Sequence, residues 1–295
     1  NGQRTQQNAG VPYAKKSKEL DIRGNVNYRH NVNETSTETS SETFLGDEST
    51  YANRRSDSEN GNHSLNGNTW MEWRADSLNT INAYLNMNYS QSDSWRENWN
   101  KTSDNNHDDI SETTSSSTAN SQSYNLNGGG AFYHRFRKAG RNLHMSFSFS
   151  HNNNDRDNYN RSFSQFFVQD SISDIDRNTR GKSNSTNWNI SVGYIEPLSK
   201  HYRLSMNYSF SNSRSLSQSL VYDSINYADR FNYDYNEELS SKVNNKYANH
   251  NINLSIQGDH TQNDTLQKGL IYNVGISLNP QSSTSRTSIG PLSLI

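Results

Sequence analysis

Residues 194–211, with the sequence YIEPLSKHYRLSMNYSFS, decide the fold. The second half of this stretch alternates strictly between two sets of residues. The apolar set is Tyr202, Leu204, Met206, Tyr208 and Phe210, and the polar set is Arg203, Ser205, Asn207, Ser209 and Ser211. Successive side chains of a β-strand point to opposite faces, so this pattern predicts a strand with one apolar and one polar face.

The composition offers little material for a globular core that could cover such an apolar face. Only 29% of the 295 residues are apolar or aromatic, and the mean hydropathy is -1.10. The chain is nevertheless not typical of a disordered protein, because its net charge is only -2 and 11% of its residues are aromatic. There is no cysteine for disulfides or thiolate–metal sites, and the near-neutral charge gives no reason to expect nucleic acid as a partner.

The same alternation recurs along the chain in segments of about ten residues, the length that a tilted strand needs to cross a bilayer. These segments are residues 20–28, 65–73, 78–89, 124–134, 143–149, 188–194, 250–256 and 270–278. Glycines 128–130 lie inside one of them, where glycine allows either bending of the strand or close approach by a neighbour. No stretch approaches the ~20 apolar residues of a membrane-spanning helix.

The segments between these strands alternate between short and long. Short polar turns are predicted at residues 74–77, 137–141, 196–200 and, less tightly, 258–269. Long polar tracts fill residues 31–62, 91–122, 152–187 and 211–249, and are predicted to be loops on one side of the sheet. Parts of these tracts are predicted to extend the strands, at residues 162–168 and 220–222. Soluble domains rarely carry several such loops, whereas transmembrane barrels have short turns on one side and long loops on the other.

The sequence therefore predicts an all-β fold, namely an antiparallel up-and-down transmembrane β-barrel segment. It would be an open, curved meander of about ten strands with short periplasmic turns and long extracellular loops. Residues 1–295 would form one incomplete outer membrane barrel domain. Such a barrel turns apolar side chains toward lipid and needs no large apolar core. The predicted lipid-facing residues are Leu85, Met87, Phe147, Ile190, Val192, Leu204, Met206, Tyr208, Leu254, Val274 and Ile276.

Aromatic residues mark both ends of the predicted membrane-spanning segments. Trp73, Phe136, Tyr194 and Tyr202 lie close to short turns, and Tyr28, Tyr89, Tyr124, Phe149 and Phe210 lie close to long tracts. Two aromatic belts are expected at the two interfaces of a membrane. The alternative is that strand ends are simply rich in tyrosine.

The order of these features resembles the outer membrane β-barrel domain of TonB-dependent receptors of the Bacteroidetes. The matching pieces are residues 188–192, YIEPLSK at 194–200, the basic turn at 136–141, FLGD at 44–47 and KYANH at 246–250. The resemblance covers about residues 20–280 and implies a bacterial outer membrane receptor for nutrient uptake. It also implies a TonB complex as partner, acting through a plug domain. The sequence departs from this pattern, because it contains no plug domain, TonB box or C-terminal aromatic residue.

The sequence contains no pattern typical of a catalytic site, so we expect neither an enzyme nor a cofactor. His107, Asp108 and Asp109, and the acidic residues within 152–158, are the best metal candidates, but they lack a calcium-binding spacing. No metal site is therefore predicted. The candidate ligand-contact residues are Trp95, Asn98, Trp99 and Lys101. Aromatic rings stack on sugars or peptides while amides form hydrogen bonds; the alternative is an aromatic end to a strand extension.

Three functions remain open at this point. The leading hypothesis is the barrel part of a TonB-dependent transporter that takes up an unknown nutrient across the bacterial outer membrane. The second is a non-transporting outer membrane or surface protein that acts in adhesion or scaffolding. The third is a soluble, secreted β-rich domain, which would have to bury its apolar faces.

Overall fold

The protein consists of β-strands joined by turns in the computed structural model, which describes residues 2–45, 48–224, 233–261 and 269–289. The strands are β1 (Gly2–Lys16), β2 (Leu20–Leu45), β3 (Glu48–Arg74), β4 (Asn79–Ser103), β5 (Asp109–Arg135), β6 (Asn142–Phe166), β7 (Ser171–Pro197), β8 (Tyr202–Ser224), β9 (Tyr233–Thr261), β10 (Gly269–Leu278) and β11 (Gln281–Ile289). Among these residues, no helix is long and apolar enough to span a membrane.

All strands belong to one antiparallel sheet in which each strand pairs with its neighbours in the sequence, in the order β1 to β10. The last two strands, β10 and β11, lie end to end along β9, because Leu278 is opposite Ile252 and Gln281 is opposite Asn249. Pro280 separates them, and its carbonyl accepts a 2.9 Å hydrogen bond from the His250 N–H. The sheet thus has ten strand positions, and the predicted antiparallel up-and-down meander is confirmed.

The two ends of the sheet are open within the described residues. β1 pairs only with β2, and β10 and β11 pair only with β9. Sequence analysis did not predict β1, whose apolar residues are few and whose Pro12 is typical of edge strands.

The polar tracts are strands and not loops, which differs from the expectation. β2 and β3, for example, stay in register from the Leu20–Trp73 pair to the Leu45–Glu48 pair. The connections left at this end are residues 104–108 and 167–170, while 46–47 and 225–232 lie outside the described residues. Of the predicted extensions, residues 162–166 belong to β6 and 220–222 to β8, whereas 167–168 are in the turn.

Each long strand therefore has two parts. We call the segment beside the short turns the lower half and the rest of the strand the upper half. The short turns are residues 17–19, 75–78, 136–141 and 198–201. The fourth predicted turn, residues 258–269, begins and ends within strands, because β9 extends to Thr261 and β10 begins at Gly269. Residues 262–268 lie outside the described part of the chain.

Identical or similar residues lie opposite each other on neighbouring strands, and these cross-strand pairs hold the polar parts of the strands together. Residues 86–93 read NMNYSQSD, and the residues opposite them, 127 back to 120, read NLNYSQSN. The Asn86 amide donates to Asn127 Oδ1 at 3.0 Å, and the hydroxyls of Ser92 and Ser121 are 2.8 Å apart. Cross-strand pairs of this kind stabilise a sheet, and here they offset the low strand propensity of asparagine.

The sheet has almost no core. Among the described residues, Val221 is the only apolar side chain that is buried, whereas large apolar side chains are exposed throughout the lower half. A soluble sheet would cover such residues with a second layer. No second layer is present in the described part of the chain.

Candidate functional site: a tilted apolar band

The predicted apolar rows of all strands lie on one face of the sheet. Met206, for example, is opposite Tyr194 of β7 and Leu254 of β9, and Leu254 is in turn opposite Ile276 of β10. Residues directly opposite each other in an antiparallel pair share a face. We call this the apolar face, and we call its continuous lower part, residues 20–28 of β2 through 270–278 of β10, the apolar band.

The residues predicted to face lipid all belong to this band. Nine of the eleven are exposed, and Val192 and Leu204 are half-buried. At the edge of the sheet, Val11 and Tyr13 of β1 extend the band, because they are opposite Val26 and Gly24. Sequence analysis missed this extension, since only Val11 and Tyr13 in β1 have large apolar side chains.

The apolar band does not run perpendicular to the strands. A cross-strand row that starts at Gly24, the centre of the band on β2, reaches Asn212 on β8 through Thr69, Leu85, Gly128, Phe149 and Trp188. The centre of the band on β8 is Met206, six residues nearer the short turn. Six residues over six steps between strands, at about 3.3 Å per residue and about 4.8 Å per strand, correspond to a tilt of about 35°.

Aromatic side chains lie along the borders of the band. At the upper border Tyr89 is opposite Tyr124, and further along the sheet the rings of Trp188 and Phe210 are in edge contact at 4.9 Å. Near the short turns the rings of Phe136 and Tyr194 are in edge contact at 6.0 Å. The border aromatics are therefore placed in two rows, as predicted.

Glycine is required where the strands of the lower half pack most closely. A Cβ atom added at Gly129 would lie 2.6 Å from the Phe147 carbonyl oxygen and 3.1 Å from the Tyr84 ring. The close approach predicted for glycines 128–130 is confirmed here. In the upper half the corresponding contact at Gly61 is a relaxed 3.8 Å, to the Asp93 carbonyl oxygen.

The turn between β7 and β8 is connected to the turn between β5 and β6, below the band. Glu196 accepts hydrogen bonds from Arg141 at 2.7 and 2.8 Å, from Lys138 at 2.6 Å and from the Tyr194 hydroxyl at 2.7 Å. The Arg141 guanidinium, followed by Lys138 and Tyr194, lowers the pKa of Glu196 to about 2. Two residues of the YIEPLSK stretch thus connect the turn between β7 and β8 to the turn between β5 and β6.

The candidate ligand-contact residues all lie in the upper half of β4, but on both faces. Trp95, Trp99 and Lys101 are on the apolar face, and Asn98 is on the opposite face. The Trp99 indole donates to Glu112 at 2.7 Å, and Lys101 pairs with Asp109 at 2.8 Å. Trp95 is 41% exposed and borders a cleft of about 560 Å³. One ligand cannot contact all four residues at once, and Trp95 is the most accessible of them.

The residues considered for metal binding lie apart from one another. His107 is in the turn 104–108, where its ring lies 4.7 Å from the Tyr51 ring at a tilt of 43°. Asp155 and Asp157 are on β6, opposite Gln122 and Asn120 of β5. In the described ranges no group of three or more histidine and carboxylate side chains could hold a metal ion.

No protein-family model matches the chain, and no curated protein sequence matches it. Among solved structures, it is similar to a chain of the RagAB peptide importer in the closed-closed state, with a TM-score of 0.27, 10% identity, and coverage of 96% of this chain and 50% of that one. It is also similar to a chain of the RagAB peptide transporter, with a TM-score of 0.27, 9% identity and coverage of 98% and 51%.

A third similar structure is the translocator domain of the autotransporter NalP from Neisseria meningitidis, with a TM-score of 0.23, 9% identity and coverage of 96% and 86%. The chain spans about half the length of the RagAB chains that it matches. These TM-scores are low, so the class of this chain follows from its own strand order and band geometry. That class is an open, all-β, antiparallel meander sheet.

Proposed function

We propose that this sheet is part of an outer membrane β-barrel and that the apolar band is its lipid-facing surface. The observation that carries the proposal is the tilt of the band. Transmembrane barrels hold their strands about 35–45° from the membrane normal. A level membrane would therefore be contacted by residues whose height shifts by about one residue per strand, which is the shift found here.

The height of the apolar band supports the same proposal. On β2 the band runs from Leu20 to Tyr28, which at 3.3 Å per residue and a tilt of about 35° gives a height of about 22 Å. The apolar belt of transmembrane barrels is about 25 Å tall. The aromatic rows at the two borders are placed where membrane interfaces would lie.

We further propose that the chain is the barrel portion of a TonB-dependent receptor that imports a nutrient. The support is the order of short turn, YIEPLSK, amphipathic strand and polar extension that the sequence shares with this family. The TonB complex and a plug domain would be the partners of the whole protein. Nutrient contacts are proposed for the upper half, where Trp95 is exposed.

The length of the upper half favours a second candidate function. About 15 residues of each strand continue above the band, and these would rise roughly 50 Å along the strand direction. An ordered polar sheet of that height is suited to a surface protein that acts in adhesion or scaffolding. Transport and adhesion therefore need to be separated by experiment.

Labelling with a bilayer-restricted reagent tests the membrane proposal. Single cysteines are introduced into the full-length protein, and the 295 residues contain no native cysteine that would interfere. We expect labelling at Leu204→Cys, Met206→Cys and Tyr208→Cys but not at Ser205→Cys or Asn207→Cys. Labelling without alternation, or none at all, would contradict a membrane-facing surface.

A second set of cysteines tests the tilt itself. Leu85→Cys and Asn212→Cys lie on the same cross-strand row. Only Leu85→Cys is expected to be labelled, because the membrane boundary is lower on β8. Equal labelling at both positions would show that the band is not the membrane surface.

Uptake measurements separate transport from adhesion. In cells that produce the full-length protein, import of the nutrient is expected to stop when TonB is deleted, while surface display of the protein persists. Uptake that is unchanged without TonB, or a parent gene without a plug domain, would favour the adhesion or scaffolding function.

A further inference from the structure

The two faces of the sheet differ in charge. On the face opposite the band, which we call the polar face, the basic residues at described strand positions are Arg4, Lys16, Arg23, Arg29, Arg54, Arg74, Arg96, Arg135, Arg156, Arg177 and Arg203. The acidic residues on this face are Asp21, Glu48, Glu72, Asp223, Asp234 and Asp259. On the apolar face, acidic residues outnumber basic ones. The strands thus sort a nearly neutral chain into a cationic face and an anionic face.

Six arginines of the polar face form a ladder. The height of each arginine is given by the β2 residue that is reached by following opposite residues from strand to strand. These β2 residues are 23, 29, 31, 33, 35 and 39. In this order they are Arg23, Arg29, Arg156, Arg4, Arg96 and Arg54. No two share a level. The ladder spans about 50 Å along the strands, from the upper half down into the height of the band.

Neutral groups hold four of the six ladder arginines. The Nε atoms of Arg4, Arg29 and Arg54 donate to the side-chain oxygens of Asn31, Asn8 and Asn100 at 3.0, 3.2 and 3.0 Å. The guanidinium of Arg23 lies 4.3 Å from the centre of the Trp70 ring. An asparagine at Nε orients a guanidinium without neutralising it, and in Arg29 and Arg54 it leaves the terminal nitrogens available to an oxyanion. One terminal nitrogen of Arg4 donates to the neutral Gln6 side chain at 3.0 Å.

Three arginines on the apolar face form ion pairs, as do Arg74 and Arg177 of the polar face, which are not part of the ladder. Arg55 contacts Asp57 at 2.9 Å, Arg161 contacts Asp174 at 3.6 Å and Arg180 lies 4.0 Å from Asp157. Within the described ranges, none of the six ladder arginines has a carboxylate within ion-pair distance. Arg54 and Arg55 show the contrast at adjacent positions of a single strand.

We propose that the arginine ladder is a binding track for an extended anionic solute, such as a chain bearing carboxylate or phosphate groups. This proposal rests on the proposed function, since the polar face lines the water-filled interior only if the band faces lipid. Guanidinium groups form forked hydrogen bonds to both kinds of oxyanion. The six arginines, on β1, β2, β3, β4 and β6, would offer such a chain several contact points at different heights along the strands.

The test is the binding of labelled oligomers to the full-length protein in detergent, followed by fluorescence anisotropy. The probes are hexaglutamate, inorganic polyphosphate and, as the neutral reference, hexaserine. One triple variant is Arg29→Gln, Arg54→Gln and Arg96→Gln on the ladder. The matched control is Arg55→Gln, Arg161→Gln and Arg180→Gln on the apolar face, which removes the same charge.

We expect at least one anionic probe to bind about tenfold more tightly than hexaserine, and the ladder variant to lose about that factor. The control variant should stay within about twofold of the wild type. The tighter anionic probe identifies the oxyanion. Equal losses of affinity in both variants, or no preference of the wild type for either anionic probe over hexaserine, would overturn the proposed binding track. Cysteine labelling separates the two proposals, because it reports on the band whether or not an anion binds.

Discussion

The lower and upper halves of each strand share one continuous hydrogen-bonded ladder but have different side chains. In the lower half, one face is apolar and the other polar, as for Met206 and Asn207. In the upper half both faces are polar, and like residues such as Gln91 and Gln122 lie opposite each other. The comparison teaches that strand pairing here does not depend on an apolar face. The large apolar side chains are instead concentrated on one face of the lower half.

The largest difference in stability between the two halves is expected when a charge is placed on the same face in each half. Ile190→Arg puts a guanidinium in the band, and we expect it to destabilise the full-length protein in lipid bilayers by about 2–4 kcal/mol. Asn184→Arg lies on the same strand and face but in the upper half, and we expect a cost below about 1 kcal/mol. Urea titration of the bilayer-inserted protein measures both. Similar costs would mean that the two halves have the same surroundings.

The next largest difference in stability is expected when a glycine in each half is replaced by alanine, which adds one methyl group. Gly129→Ala forces Cβ against the Phe147 backbone, and we expect a loss of about 1–3 kcal/mol. Gly61→Ala has space in the upper half, and we expect a gain of about 0.5 kcal/mol from the lower entropy of the unfolded chain. The same titrations compare the two variants. A stable Gly129→Ala variant would show that the lower strands are not closely packed.

The two halves are expected to differ in their response to low pH, because Glu196 lies in the lower half. The hydrogen bonds from Arg141, Lys138 and Tyr194 lower its pKa from 4.5 to about 2 in the folded protein. Stability gained from a lowered pKa is present above about pH 4.5 and is lost as the pH falls toward about 2. We therefore expect the wild type to lose stability relative to Glu196→Gln across this window.

The control for this acid effect is Asp157→Asn in the upper half. Its ion pair with Arg180 is long and exposed, so the variant should follow the wild type across the same pH range. Denaturant midpoints measured as a function of pH give both comparisons. Parallel curves for Glu196→Gln and the wild type would exclude a stabilising role of this carboxylate.

Two tryptophans in the upper half give the smallest expected difference. Trp99→Phe removes the indole hydrogen bond to Glu112, and we expect it to cost about 1 kcal/mol. Trp95→Phe keeps an exposed ring and should cost less than about 0.5 kcal/mol. Denaturant titration checks both. If a sugar or peptide ligand is found, its binding should be weakened more at Trp95 than at Trp99.

The sequence predicts the lower half well, because alternation with a period of two is visible wherever one face is apolar. That pattern predicts the apolar rows on β2 to β10 and the all-β meander. The upper strands were missed because residues such as Asn152 and Ser185, which lie opposite each other, do not alternate with apolar residues and are typical of turns.

A different signal in the sequence would have revealed the upper strands. The two arms of a hairpin read alike in opposite directions, as residues 25–34 (NVNYRHNVNE) and 68 back to 59 (NGNLSHNGNE) show. This mirror pattern gives the register directly. The faces of Trp95, Asn98, Trp99 and Lys101 also follow from it, since residues 95 and 98 differ by an odd number and must point to opposite sides.

The strict neighbour-to-neighbour order of the strands has a consequence for how such proteins change in evolution. Four two-strand units, β2–β3, β4–β5, β6–β7 and β8–β9, follow one another along the chain, and short turns connect each unit to the next. Duplication or deletion of one unit would leave the register of every other pair intact. It would change the width of the sheet by about 10 Å, the span of two strands, and leave its height unaltered. The width of the sheet can therefore evolve in whole two-strand units while the length of its strands is inherited unchanged.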